Sequence, residues 1–207
     1  MRRYQSLSFI AGILVVPCYL VFALLAYSQY PLPYSPLSNW LSDLGNADSN
    51  PHGAILYNLG IISTALLLMV FFIGLSRWRI VKKKVQIIML LLTQFFGILG
   101  SVCMIMSAIF PINLLEVHQV WSMSLYFMLA TAFAFSVAAL GYHHKVPRWL
   151  LAIGVCSALM VNLTSFFPKV YVLEWITVFI FLSYVGLVGF YTTHITLSVN
   201  SSPVKRV

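Results

Sequence analysis

The sequence predicts an all-α integral membrane protein: one domain over residues 1–207, folded as a six-transmembrane-helix bundle of three hairpins with both termini cytoplasmic. Three observations predict it. Hydrophobic residues make up 61% of the 207 and charged residues 8%, where a water-soluble domain has roughly 25% charged residues. Six apolar stretches are long enough to cross a hydrocarbon core, which needs about 20 residues. Eleven of the 12 Lys and Arg fall on one side of those stretches. A soluble globule, a disordered chain and a disulfide-stapled secreted domain are excluded by composition. Barrel strands are excluded because the apolar runs do not alternate.

The first span, 9–27, follows Arg2 and Arg3 like a signal peptide. Its run is too long for that, and no small-x-small cleavage site follows, so it reads as retained. The remaining spans are 54–75, 85–110, 119–140, 149–167 and 175–197. Arg2, Arg3, Arg77, Arg79, Lys82, Lys83, Lys84, Lys145, Arg148, Lys205 and Arg206 share one side, and Lys169 is opposite. The positive-inside rule makes the first side cytoplasmic, in the plasma or inner membrane. The net charge of +8 is then a topology signal, and no nucleic-acid partner is expected. Cys18, Cys103 and Cys156 sit inside spans without C-x-x-C spacing, which argues against thiol–disulfide chemistry.

Two outer loops are short. The first, over 28–53, is long and contains a helical pattern. Ser35-Pro36 reads as an N-cap with proline at the first helical position. Leu37, Trp40, Leu41 and Leu44 follow at i, i+3, i+4 and i+7, and Gly45 stops the run. The spacing predicts a short amphipathic helix over 36–44 on the outer membrane surface, with Trp40 at headgroup level. It is either a brace or a lid.

Polar groups within hydrocarbon are expensive and often functional. Asn58 lies one turn into the second span. Glu116 and His118 stand at the outer start of the fourth, and Glu174 at that of the sixth. Asn162 lies in the outer third of the fifth span, and Asp43 in the loop above. Those in the spans share one depth with Ser107, Thr164 and Ser165, and with Asp43 above them they predict an outward-facing polar cup. Each alone reads as helix–helix glue, and His143 and His144 read as solvated. No H-E-x-x-H motif is present, no catalytic residue is assigned, and the metal question stays open. No cofactor is expected: His118 and His194 lie at opposite ends, which argues against haem. No ionisable residue sits at any midplane, which disfavours a coupled carrier.

Pro36-Leu37-Ser38-Asn39, Leu41-Ser42-Asp43-Leu44-Gly45, Pro51-His52-Gly53-Ala54 and Leu56-Tyr57-Asn58-Leu59-Gly60 resemble the DUF998 membrane proteins of bacteria and archaea. In these an S-[ED]-L-G loop precedes an aromatic residue paired with asparagine. Phe110-Pro111 with His118 is similar to the same family. Glu174-Trp175 is similar, more distantly, to the Frag1/DRAM/Sfk1 group of eukaryotic six-span proteins. DUF998 has no settled activity, so the resemblance implies a six-span fold. The distant group is associated with lipid handling and implies membrane lipids as partners. The leading expectation is therefore a multi-pass membrane protein whose outer cup interacts with lipid. The alternatives are a membrane-embedded lipid hydrolase using His118 and Glu174, and a structural subunit joined to a second copy or to another membrane protein.

Overall fold

Backbone N–H and C=O groups in hydrocarbon must be satisfied within the chain, which favours helices in long apolar runs. Among the described residues six form: α1 Leu7–Ser28, α2 Ala54–Gly74, α3 Lys84–Ile109, α4 Leu115–Leu140, α5 Arg148–Phe166 and α6 Tyr171–Val199. The computed structural model describes residues 7–80, 82–166 and 170–199, and the side chains of these except 161, 162, 164–166 and 193–199. Among the described residues there is no strand. Five helical stretches are long and apolar enough to cross a membrane: Leu7–Ser28, Ala54–Trp78, Lys84–Ile109, Leu115–Leu140 and Tyr171–Thr192. The apolar stretch Arg148–Met160 of α5 is shorter. The chain fits a multi-pass membrane protein.

Each helix packs on its neighbour in sequence, and α6 returns to pack on α1, so the six close into a ring. Small residues set the closest approaches. A Cβ on Gly60 would meet Phe22 across the α1–α2 seam, and one on Gly74 would meet Ser8, so the two helices are antiparallel. One end of the ring carries Arg77, Arg79, Lys82, Lys83, Lys84, Lys145 and Arg148. We call it the basic end. Arg2, Arg3, Lys169, Lys205 and Arg206 lie outside the described residues.

The basic end is knitted by side chains. Trp78 Nε1 donates to Thr192 Oγ1 at 3.0 Å, and Gln86 Nε2 donates to the Trp78 carbonyl at 2.9 Å. His143 is not simply solvated, as the sequence had suggested. It is half-buried, its Nε2 donates to the same carbonyl at 2.8 Å, and its ring stands edge-on to Trp78. Burial pushes its pKa below the ordinary histidine value.

The opposite end is capped by the loop between α1 and α2, and here the structure corrects the expected helix over 36–44. Ser35 closes one turn, its carbonyl accepting from the Ser38 and Asn39 amides at 3.0 and 2.9 Å. The chain then extends through Trp40 and forms a single 3₁₀ turn, Leu41–Gly45. Leu41 and Leu44 are 2% and 1% exposed, while Leu37 is 81% exposed. Trp40 stands edge-on against Tyr171 of α6, ring centroids 4.7 Å apart. A helix this short is marginal alone. Its amides find partners on α6 instead, and the segment folds down onto the ring.

Two asparagines fasten this cap. Asn50 is fully buried; its Nδ2 donates to the Ala26 carbonyl at the end of α1 and to the Leu44 carbonyl, and its Oδ1 accepts from the Gly53 amide. Asn58 Nδ2 donates to the Gly45 carbonyl at 3.0 Å. Position 45 has to be glycine for this: a Cβ there would stand 2.6 Å from Asn58 Oδ1.

Candidate functional site

α4 starts at Leu115 and α6 at Tyr171, each about a turn earlier than their apolar runs. A turn closed by the Leu114 amide on the Pro111 carbonyl leads straight into α4. Glu116 and Glu174 therefore occupy first turns, where a carboxylate suits the helix dipole. Glu116 points to the exterior, but Glu174 turns inward.

Inside the ring, beneath the cap, lies a cavity of about 100 Å³. Its rim toward the capped end is polar: Ser42, Asn58, Ser107, His118, Ser122 and Glu174. Its floor is apolar, with Val15, Leu68, Phe133, Leu182 and Val185. Between rim and floor stand Tyr19, Tyr57 and Tyr126. The hydroxyls of Tyr19 and Tyr57 share a hydrogen bond of 3.2 Å. Among the described residues, no Lys or Arg lines the cavity.

Glu174 joins cap and cavity. Its Oε2 accepts from the Leu41 amide at 2.6 Å and from the Ser42 amide at 3.4 Å, and Trp175 Nε1 donates to the Asn39 carbonyl at 3.1 Å. A carboxylate accepting backbone N–H groups is partly neutralised without a cation. His118 is oriented just as firmly. Its Nδ1 lies 2.8 Å from the Phe110 carbonyl and 3.1 Å from that of Ser107. Carbonyl oxygens only accept, so Nδ1 carries a proton, and in the neutral ring Nε2 is the acceptor.

Of the six residues singled out by sequence, Asn58, His118 and Glu174 line this one cavity. Asp43 does not. Its Oδ2 accepts from the Trp40 amide at 2.9 Å and caps the 3₁₀ turn. Burial pushes its carboxyl above the ordinary range, against the opposing pull of the bonds from Trp40 and Asn39. Glu116 is exposed on α4. The side chain of Asn162 lies outside the described residues. Sequence reasoning missed Ser42, Ser122 and the three tyrosines. Tyr57 adjoins Asn58, which was a usable signal; Tyr19 and Tyr126 had none. Among the described residues, no three His, Cys, Asp or Glu side chains gather as metal ligands.

What the arrangement offers is hydrogen-bond acceptors and hydroxyls at one end of a short apolar well. No curated protein and no solved structure matches the chain. A family model, "Protein of unknown function (DUF998)", matches residues 13–195, from the first turns of α1 into α6. That span takes in the cap, all of the described cavity lining, the whole of α2 to α5 and most of α1 and α6, so the chain belongs to the DUF998 family.

Proposed function

We propose that this protein binds a single-chain membrane amphiphile, with its polar head at the rim and its tail in the floor of the cavity. One observation carries the reading: a single cavity is polar toward the capped end and apolar beneath. A cavity of this size takes a short stretch of one slender chain, the part of the tail nearest the head. The rim chemistry narrows the head. Glu174 and His118 Nε2 accept, the serines both donate and accept, and no described Lys or Arg is present to hold a phosphate. A hydroxyl- or amine-bearing head fits these groups and an anionic one does not. In this reading all six helices span the plasma or inner membrane, the basic end is cytoplasmic, and the capped end faces out.

A second reading is favoured by His118, whose ring is held with Nε2 as acceptor as a general base requires. In it, His118 and Glu174 act in hydrolysis of a lipid headgroup. Native mass spectrometry of the purified protein separates the two. Binding alone predicts an intact co-purified amphiphile of the stated class, absent from Ala108→Phe, which fills the cavity wall. Headgroup cleavage abolished by His118→Ala would establish the second reading. An Ala108→Phe protein that still carries the same ligand would overturn both.

A further inference from the structure

α1 and α6 are in backbone contact over the half of the bundle nearer the basic end. A Cβ on Gly12 would stand 2.9 Å from Gly189 Cα, and one on Gly189 would stand 3.0 Å from Gly12 Cα. A turn further, a Cβ on Gly186 would meet Val16 Cγ2 at 3.1 Å. Toward the capped end the two helices part. A cleft of about 270 Å³ opens there between Ala23 and Tyr27 of α1 and Trp175 and Phe179 of α6, roofed by Pro36 and Leu41. It opens sideways, toward the lipid: Leu24 and Phe179 on its lips are 64% and 44% exposed.

The cleft and the inner cavity are separated by little. Tyr19 lines both. In the roof, Leu41 faces the cleft and its neighbour Ser42 faces the cavity. Two other seams differ: a Cβ on Gly60 would drive into Phe22 between α1 and α2, and one on Gly100 into Leu129 between α3 and α4.

We propose that the α1–α6 cleft is the lateral portal through which the amphiphile passes between the outer leaflet and the cavity, with Tyr19 as its gate. The proposal rests on the amphiphile-binding reading above. The occupant of the cleft is the apolar chain. The cleft wall faces bilayer chains, carries no charged side chain among the described residues, and continues into a cavity whose floor is apolar. The head travels beneath the roof, past the hydroxyls of Tyr19 and Tyr57. One neutral hydrogen bond, Tyr19 to Tyr57, latches the gate, so a rotation of the Tyr19 ring joins the two spaces. The glycine contact at Gly12 and Gly189 is the fixed point from which the helices diverge.

The test uses the full chain with Cys18, Cys103 and Cys156 replaced by alanine. Ala23→Cys and Phe179→Cys are then bridged across the cleft by a short bis-maleimide. Protein preloaded with deuterated monoacylglycerol in phosphatidylcholine vesicles is chased with the unlabelled compound, and exchange is followed by native mass spectrometry. Bridging is expected to slow exchange by about tenfold or more, as for a gated step, with occupancy retained. Tyr19→Phe, which removes the latch, is expected to speed it. Equal exchange rates with the cleft bridged and open would overturn the portal while leaving the binding reading intact. If the unbridged protein never holds the monoacylglycerol, the binding reading fails and the portal fails with it.

Discussion

Glu174 and Asp43 are both partly buried carboxylates near the cap, yet they differ in what they hold. Glu174 accepts two amides from a segment more than a hundred residues away in sequence, and so ties an element to the bundle. Asp43 accepts the amide of Trp40, three residues before it, and shapes one turn. Its burial has a consequence for stability. A carboxyl whose folded pKa is raised binds its proton more tightly in the native state than in the unfolded chain. Its contribution is therefore complete below the unfolded value, near pH 3.9, and is lost as pH rises through the folded value. Asp43→Asn keeps an oxygen to accept from Trp40 and never ionises. Its thermal midpoint in detergent should match the parent at about pH 3 and exceed it at neutral pH. A parent more stable than the variant at neutral pH would show that the ionised carboxylate is the form the turn requires.

At the scale of elements, the helices were legible and the loop was not, for one physical reason. A membrane helix satisfies its own backbone and needs only length and apolarity, both local properties. The loop's stripe of Leu37, Trp40, Leu41 and Leu44 had the right local period. Its conformation, however, was decided by Glu174 and Trp175, which no local pattern reaches. Asn58, His118 and Glu174 were legible because shared depth is a one-dimensional property of the sequence. The tyrosines between rim and floor were not, since a tyrosine in an apolar run reads equally as an interfacial anchor. Helix contacts through glycine can be tested directly. At Gly12 an added Cβ meets the Gly189 backbone, which cannot turn aside, whereas at Gly186 it meets a methyl of Val16, which can. Gly12→Ala should therefore lower the thermal midpoint well beyond Gly186→Ala, by an overpacking cost of about 1–3 kcal/mol. Equal midpoints would mean that α1 and α6 do not close the ring through this contact.

For the whole molecule, the two ends are unlike in both charge and construction. The described cations cluster at one end, around the Trp78, Gln86 and His143 bonds. The other end is closed by a turn that holds Asp43 and no Lys or Arg, over a cavity whose rim is made of acceptors and hydroxyls. Translocating a loop that carries Arg77, Arg79 and Lys82 to Lys84 is strongly disfavoured, whereas the loop over 29–53 carries Asp43 and Asp48 and no Lys or Arg. The proposed orientation rests on this difference, and so does the proposal that the outer leaflet supplies the ligand. In a cysteine-free background, Asp48→Cys on the exposed part of the cap should react with an impermeant maleimide in intact cells. Lys145→Cys, exposed between α4 and α5, should react only after permeabilisation. The reverse pattern would turn the cavity and its lateral cleft toward the cytoplasm, so that the amphiphile came from the inner leaflet. Both sites labelling from outside would break the odd number of crossings between them, made by α2, α3 and α4, and with it the six-span reading.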